Sequence, residues 1–99
     1  MAAKLDWDET KRQINLRKHG LDFVFAGEVL DSRYRLDIPV VRAQESRTLS
    51  ISYVMGFLSV LTVVHVARDA TVRIVSFRRA SRDEREAYFV WINTPFDEP

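Results

Sequence analysis

Residues 47–88 read RTLSISYVMGFLSVLTVVHVARDATVRIVSFRRASRDEREAY, and this stretch decides the fold class. Its first part alternates. Leu49, Ile51 and Tyr53 fall on one face of a strand, and Thr48, Ser50 and Ser52 on the other. Gly56 lies in the turn that follows. The segment FLSVLTVVHVA is apolar on both faces, as in a central strand covered on both sides. RDAT makes the next turn, through Asp69, and VRIVSFR is a further strand. Ser81 and Glu84 then form the S-x-x-E capping box that opens a helix. Tyr88, Trp91 and Ile92 are its inward candidates, and Pro95 ends it.

Upstream, Leu5 and Trp7 alternate with Asp6 and Asp8, a short strand. Asp8 caps a helix to about His19, and Gly20 stops it. That helix lacks an apolar stripe. Only Ile14 and Leu16 are clearly apolar, and two positions apart they share no face. Lys11, Asn15, Lys18 and His19 do share one. Asp22 caps a second helix, FVFAGEVLD, with Phe23, Ala26, Val29 and Leu30 as its stripe. YRLDIPV is a strand that Pro39 places at an edge or an exit, and residues 39–47 read as a loop. The expected fold is α+β. Two N-terminal helices and a C-terminal helix pack on an antiparallel sheet, in one domain over residues 1–99 with an irregular tail at 93–99.

The chain has 99 residues, 46% of them apolar, which suits one globular domain and excludes disorder. So small a domain has little stability to spare, which favours a partner or a second copy. No cysteine is present, which removes disulfide and thiolate chemistry and suits a reducing cytoplasm. MAAKLDWDET carries acids where a secretion signal carries its apolar core. No apolar run approaches the roughly 18 residues of a membrane span. Net charge is only +1, from 15 basic and 14 acidic residues, so a strongly basic coat protein is not indicated. Of the basic residues only Lys4, Lys11 and Lys18 are lysine. Arginine forks hold phosphate bidentately and stack on bases, although drift in genome composition produces the same bias.

No H-E-x-x-H, glycine-rich phosphate loop or G-x-S-x-G occurs. Asp6 and Asp8 are better read as structural acids than as magnesium ligands. What remains is Arg, Lys, His, Tyr and Glu45-x-Arg47. That inventory suits a phosphodiester reaction without metal or other cofactor. RNA supplies its own nucleophile, the 2′-hydroxyl, and the protein needs to align it, move protons and neutralise developing charge. Each candidate also has a plain structural reading. His19 ends a helix, where the dipole favours its charged form, as a cap or as a site group. His65 lies in phase with Leu61 and Val63, as a core histidine. Glu45 and Arg47 share parity, as a surface ion pair or as site groups. Tyr88 shares a helix face with Arg85, as a core aromatic or as a site group. Arg73 and Arg78 differ in parity and are expected on opposite faces, Arg78 with Val72, Ile74 and Ser76. Arg79, Arg82 and Arg85 enter the last helix, where early arginine opposes the dipole.

The chain resembles the BrnT family of type II toxin–antitoxin toxins. The N-terminal pattern is carried by Trp7, Asp8, Lys11, Asn15, Lys18, His19, Gly20, Asp22 and Phe23. The closing pattern is carried by Arg73, Ile74, Val75, Ser76, Arg78, Ala80, Ser81, Glu84, Arg85 and Tyr88, and Glu45 and Arg47 match between them. The resemblance implies a RelE-like fold and a bacterial, metal-independent ribonuclease that blocks translation. It implies a BrnA-like ribbon-helix-helix antitoxin, a heterotetramer and operator DNA bound through the complex. Carried-over catalytic candidates are Lys18, His19, Glu45, Arg47, Arg78 and Tyr88, with Arg73, Arg79 and Arg82 on RNA. On this reading Arg78→Ala removes toxicity and spares folding. The alternative is a non-catalytic nucleic-acid-binding or corepressor module, whose arginines contact phosphates only.

Overall fold

The computed structural model describes residues 4–95. Strand β1 (Lys4–Trp7) leads into helix α1 (Glu9–His19). A 3₁₀ turn (Phe23–Phe25) and a single α-helical turn, α2 (Gly27–Leu30), follow. Strands β2 (Leu36–Arg42), β3 (Glu45–Val54), β4 (Ser59–Arg68) and β5 (Thr71–Arg79) form the meander, and α3 (Arg82–Asn93) closes it. The strand order is β1-β5-β4-β3-β2. The meander pairs are antiparallel, but β1 lies parallel to β5. The sheet is therefore mixed, not antiparallel throughout. β1 and β2 hold opposite edges, so the segment between them carries the chain across one face.

Apolar residues fill both sides of the sheet. Phe23, Ala26 and Val29 pack with Leu61, Val63, Ile74 and Phe77 on what is here called the α2 face. The expected second helix is broken into a 3₁₀ turn and one α turn, yet its four stripe residues still point inward. On the α3 face, Tyr88 packs with Ile51, Val60 and Ala80, and Trp91, Leu36 and Ile38 pad the cluster. β4, third of five strands, is covered on both sides as its composition demands. Pro39 sits on the edge strand β2, where a missing N–H costs no ladder bond.

The ends of the helices follow local rules. Asp8 accepts from the Lys11 N–H, and Gly20 closes α1 at φ 71°, a left-handed conformation that glycine adopts without a Cβ clash. Both halves of the Ser81–Glu84 capping box are formed. Ile92 is exposed rather than inward, and α3 runs to Asn93, so the described part of the expected tail begins at Thr94. The rest of that tail, from Phe96, lies outside the described residues.

Three local features escape sequence patterns. First, residues 39–47 form no loop. β2 and β3 pair to Arg42–Glu45 across a two-residue turn, Ala43 and Gln44, both at positive φ (51° and 64°). Second, Val64 pairs with Ser76 and His65 with Ile74, so Val75 is the extra residue of a β-bulge. The bulge shifts parity, and Ile74 and Phe77 both enter the α2 core. Arg73 pairs with Val66 and Arg78 with Thr62, four apart on β4, so both arginines lie on the α3 face. The expectation of opposite faces fails for that reason. Val72 and Ile74 lie behind Arg78, while Ser76 is beside it. Third, α1 is held by an amide. Ile14 and Leu16 are 48% and 38% exposed, whereas Asn15 is buried. The Asn15 amide nitrogen donates to the carbonyls of Phe77 (2.7 Å) and Leu21 (3.0 Å). Its Oδ1 accepts from the Phe77 N–H at 3.2 Å. β1 pairs β5 only to Ile74, so Asn15 satisfies the strand edge where β1 has ended.

Candidate active site

α3 begins over Thr62 and Arg78 and leaves the hairpin half of its sheet face open. There, Val40, Val41, Leu49, Val64 and Val75 floor a depression of about 480 Å³, rimmed by Arg42, Arg47 and Arg78. A smaller one, about 180 Å³, is lined by Lys11, Ile14, Asn15, Lys18 and His19 of α1. Val75 and Ser76 line both, so the bulge is their common wall. The sequence-derived candidates Lys18, His19, Arg47 and Arg78 converge on this double depression.

The two arginines are braced by glutamates. The Arg47 Nε donates to the Glu45 carboxylate at 2.9 Å, as their shared parity anticipates, and its terminal nitrogens make no other bond among the described residues. Arg78 is bound more completely. Its two terminal nitrogens donate to the two oxygens of Glu84 at 2.7 and 2.9 Å. Glu84 also accepts from the Thr62 hydroxyl and the Ser81 N–H, both at 2.9 Å. The Arg78 fork, followed by the smaller bonds, holds the Glu84 carboxyl at about 2 and raises the guanidinium further. Arg78 thus offers the depression its charge more than its fork. Removing it takes from Glu84 its charged partner and leaves the Thr62 and Ser81 bonds, so Arg78→Ala is expected to cost stability as well as charge in the depression.

On α1, Arg12 is paired with Glu9 and Asp22, at 2.7 and 2.9 Å, but the two lysines that line the smaller depression are unbraced. Among the described residues neither Lys11, Lys18 nor Arg42 makes an ion pair. The His19 pKa is lowered, first by burial and then by the nearby charges of Lys18 and Arg78. The helix dipole alone had predicted the opposite direction. His19 is a neutral imidazole at neutral pH, able to accept a proton.

The other candidates lie elsewhere. Tyr88 is 2% exposed, and its hydroxyl donates to the Tyr34 carbonyl at 2.9 Å under α3. Arg73 shares the α3 face but pairs with Asp6 at 2.7 Å, which also accounts for Asp6. Arg79 is exposed and its register partner Leu61 faces α2, so it points away from Arg78. Arg82 is exposed on α3 and pairs with Glu86. His65 is on the α2 face, its Nε2 at 2.7 Å from the Ser50 hydroxyl, which donates to Asp37. Sequence reasoning missed Arg42, hidden in the supposed loop. Two-residue spacing from Arg42 across Ala43–Gln44 to Glu45 is its only signal, and neither turn residue favours positive φ. Among the described residues, no group of three or more His, Asp or Glu side chains is placed to hold a metal ion, and no helix is long and apolar enough to cross a membrane.

Five cations and one imidazole of lowered pKa thus surround an open, partly apolar sheet face. A family model described as "Ribonuclease toxin, BrnT, of type II toxin-antitoxin system" matches residues 7–84. The chain belongs to the BrnT family, and is a ribonuclease toxin of a type II toxin–antitoxin system, a role that entails an RNA target and an antitoxin. No curated protein matches it.

Proposed function

We propose that the double depression is the active site of a metal-independent endoribonuclease that stops translation. The observation that carries this reading is the convergence of Lys18, neutral His19, Arg47 and Arg78 on one concave surface. His19 takes the proton from the ribose 2′-hydroxyl. The 2′-oxygen bonds to phosphorus, and the bond to the 5′-oxygen of the next nucleotide breaks. Arg47, through its free terminal nitrogens, and Arg78, through its charge, stabilise the phosphoryl oxygens. The Lys18 ammonium returns a proton to the leaving 5′-oxygen. Products are a 2′,3′-cyclic phosphate and a 5′-hydroxyl. Glu45 orients Arg47 and Glu84 orients Arg78. Tyr88 supports the fold from the core, and Arg79, on the opposite face, and Arg82, on α3, contact RNA away from the scissile phosphate.

The family membership supports a RelE-like description of the fold and a cytoplasmic protein neutralised by a BrnA-like antitoxin. In that arrangement a heterotetramer binds operator DNA through the antitoxin. The test is incubation of purified, folded protein with RNA, with and without EDTA. Cleavage in both is expected, with cyclic-phosphate ends. Cleavage only with magnesium removes the metal-free mechanism. No cleavage in either leaves a non-catalytic nucleic-acid-binding module.

A further inference from the structure

The floor of the larger depression is aliphatic, and its rim is cationic. Leu49 and Val64 pair across β3 and β4, and Val40 on β2 lies opposite Arg47 and diagonal to Leu49 on the same face. α3 covers the neighbouring Ile38 and Ile51 but not these. Covering open apolar surface of this kind with any apolar group is favourable in water. Arg42, Arg47 and Arg78 bound it on one side of the bulge, and Lys11 and Lys18 on the other. Both flanks attract anions. A molecule with one apolar plate tethered between two anions is a nucleotide within a strand.

We propose that the uncovered sheet face seats one unstacked base of a single-stranded RNA. The flanking phosphates lie one in the Lys11–Lys18 depression and one at Arg42, Arg47 and Arg78. This rests on the ribonuclease reading and adds its substrate form, and it makes Lys11 and Arg42 RNA contacts. A volume of about 480 Å³ admits a nucleotide. A base paired within a duplex cannot leave its stack to reach the floor without losing its partner. The floor has no side-chain donor or acceptor except Ser76 at its edge. Base identity is therefore read weakly, and strandedness strongly.

The experiment measures fluorescence anisotropy of a labelled, uncleavable 2′-O-methyl oligonucleotide of about ten residues. The same strand is measured in a duplex, with an abasic position, and against polyglutamate of matched charge. Single strand is expected to bind at least tenfold tighter than duplex, and one abasic position to lose several-fold. Polyglutamate competes at least tenfold less well. Lys11→Ala and Arg42→Ala each weaken binding several-fold and reduce the salt slope by about 0.7. Val40→Glu, an edge-strand change, weakens it at least tenfold with an unchanged circular dichroism spectrum. Equal binding of duplex and single strand, no abasic effect, or full competition by polyglutamate overturns the proposal. The last outcome gives the face to an acidic partner. Cleavage of unmodified RNA is assayed in parallel. Cleavage that persists while these outcomes fail overturns the base seat alone, and loss of both binding and cleavage overturns the ribonuclease reading with it.

Discussion

The two sides of the bulge are built on opposite plans. On the sheet side, each catalytic candidate arginine is tied to its own glutamate: Arg47 to Glu45, Arg78 to Glu84. On the α1 side, Lys11 and Lys18 have no acid partner among the described residues, and the helix that carries them is tied to β5 by the buried Asn15 amide and to Asp22 by Arg12. Arg47 and Arg78 are therefore part of the fold's stability. Lys11 and Lys18 are nearly independent of it, and their positions depend on a neutral residue, Asn15. Ranking cations by number or by fork chemistry misses this distinction, because a fork already filled by a carboxylate is not free for phosphate.

The comparison breaks first at Asn15. Asn15→Leu leaves the Phe77 N–H and carbonyl and the Leu21 carbonyl unpaired, and is expected to cost about 3 kcal/mol in urea unfolding. A loss under about 0.5 kcal/mol means that packing, not the amide, holds α1. Next come Arg78→Ala and Lys18→Ala, assayed together. The first is expected to lower stability by about 2 kcal/mol through the stranded Glu84 and to lower RNA cleavage. The second is expected to change stability by less than about 0.5 kcal/mol while lowering cleavage at least as much. Equal stability for the two variants erases the difference between the sides.

The pH dependence sharpens it. Glu84 titrates at about 2 instead of 4.5, so the folded state binds fewer protons than the unfolded one. Its stabilisation is complete above pH 4.5 and is lost as pH falls toward 2. Acid unfolding of Arg78→Ala should show less of this dependence. His19, also lowered, is neutral at neutral pH. Cleavage should rise with pH through an apparent pKa below the ordinary histidine value, and His19→Gln should abolish that limb. The smallest effect on cleavage is expected at Tyr88→Phe, within about twofold, with about 1 kcal/mol of stability lost with the bond to Tyr34. A folded Tyr88→Phe protein without cleavage returns Tyr88 to the site.

Much of this was legible along the chain. Asp8, Gly20, Ser81 and Glu84 cap their helices by hydrogen bonds within four residues, so sequence spacing finds them. The meander follows from alternation and a central run that is apolar on both faces. The parallel pairing of β1 with β5 is not local, since it joins residues 67 positions apart (Leu5 with Val72, Asp6 with Arg73). The Ala43–Gln44 turn was missed because its conformation is imposed by the strands on residues that do not prefer it. That error hid Arg42.

Lys18, His19, Arg47 and Arg78 were nameable from residue type and from the family pattern. By itself the sequence determined which elements form, where they stop and which residues carry charge, because those depend on neighbours a few positions away. Tertiary structure alone decided which charges are free, which face each presents and what lies between them. One inserted residue, Val75, inverts strand parity, and one amide, Asn15, ties a helix to a strand edge 62 positions away. Neither effect has a local signature, since both depend on where β1 ends and where β4 runs.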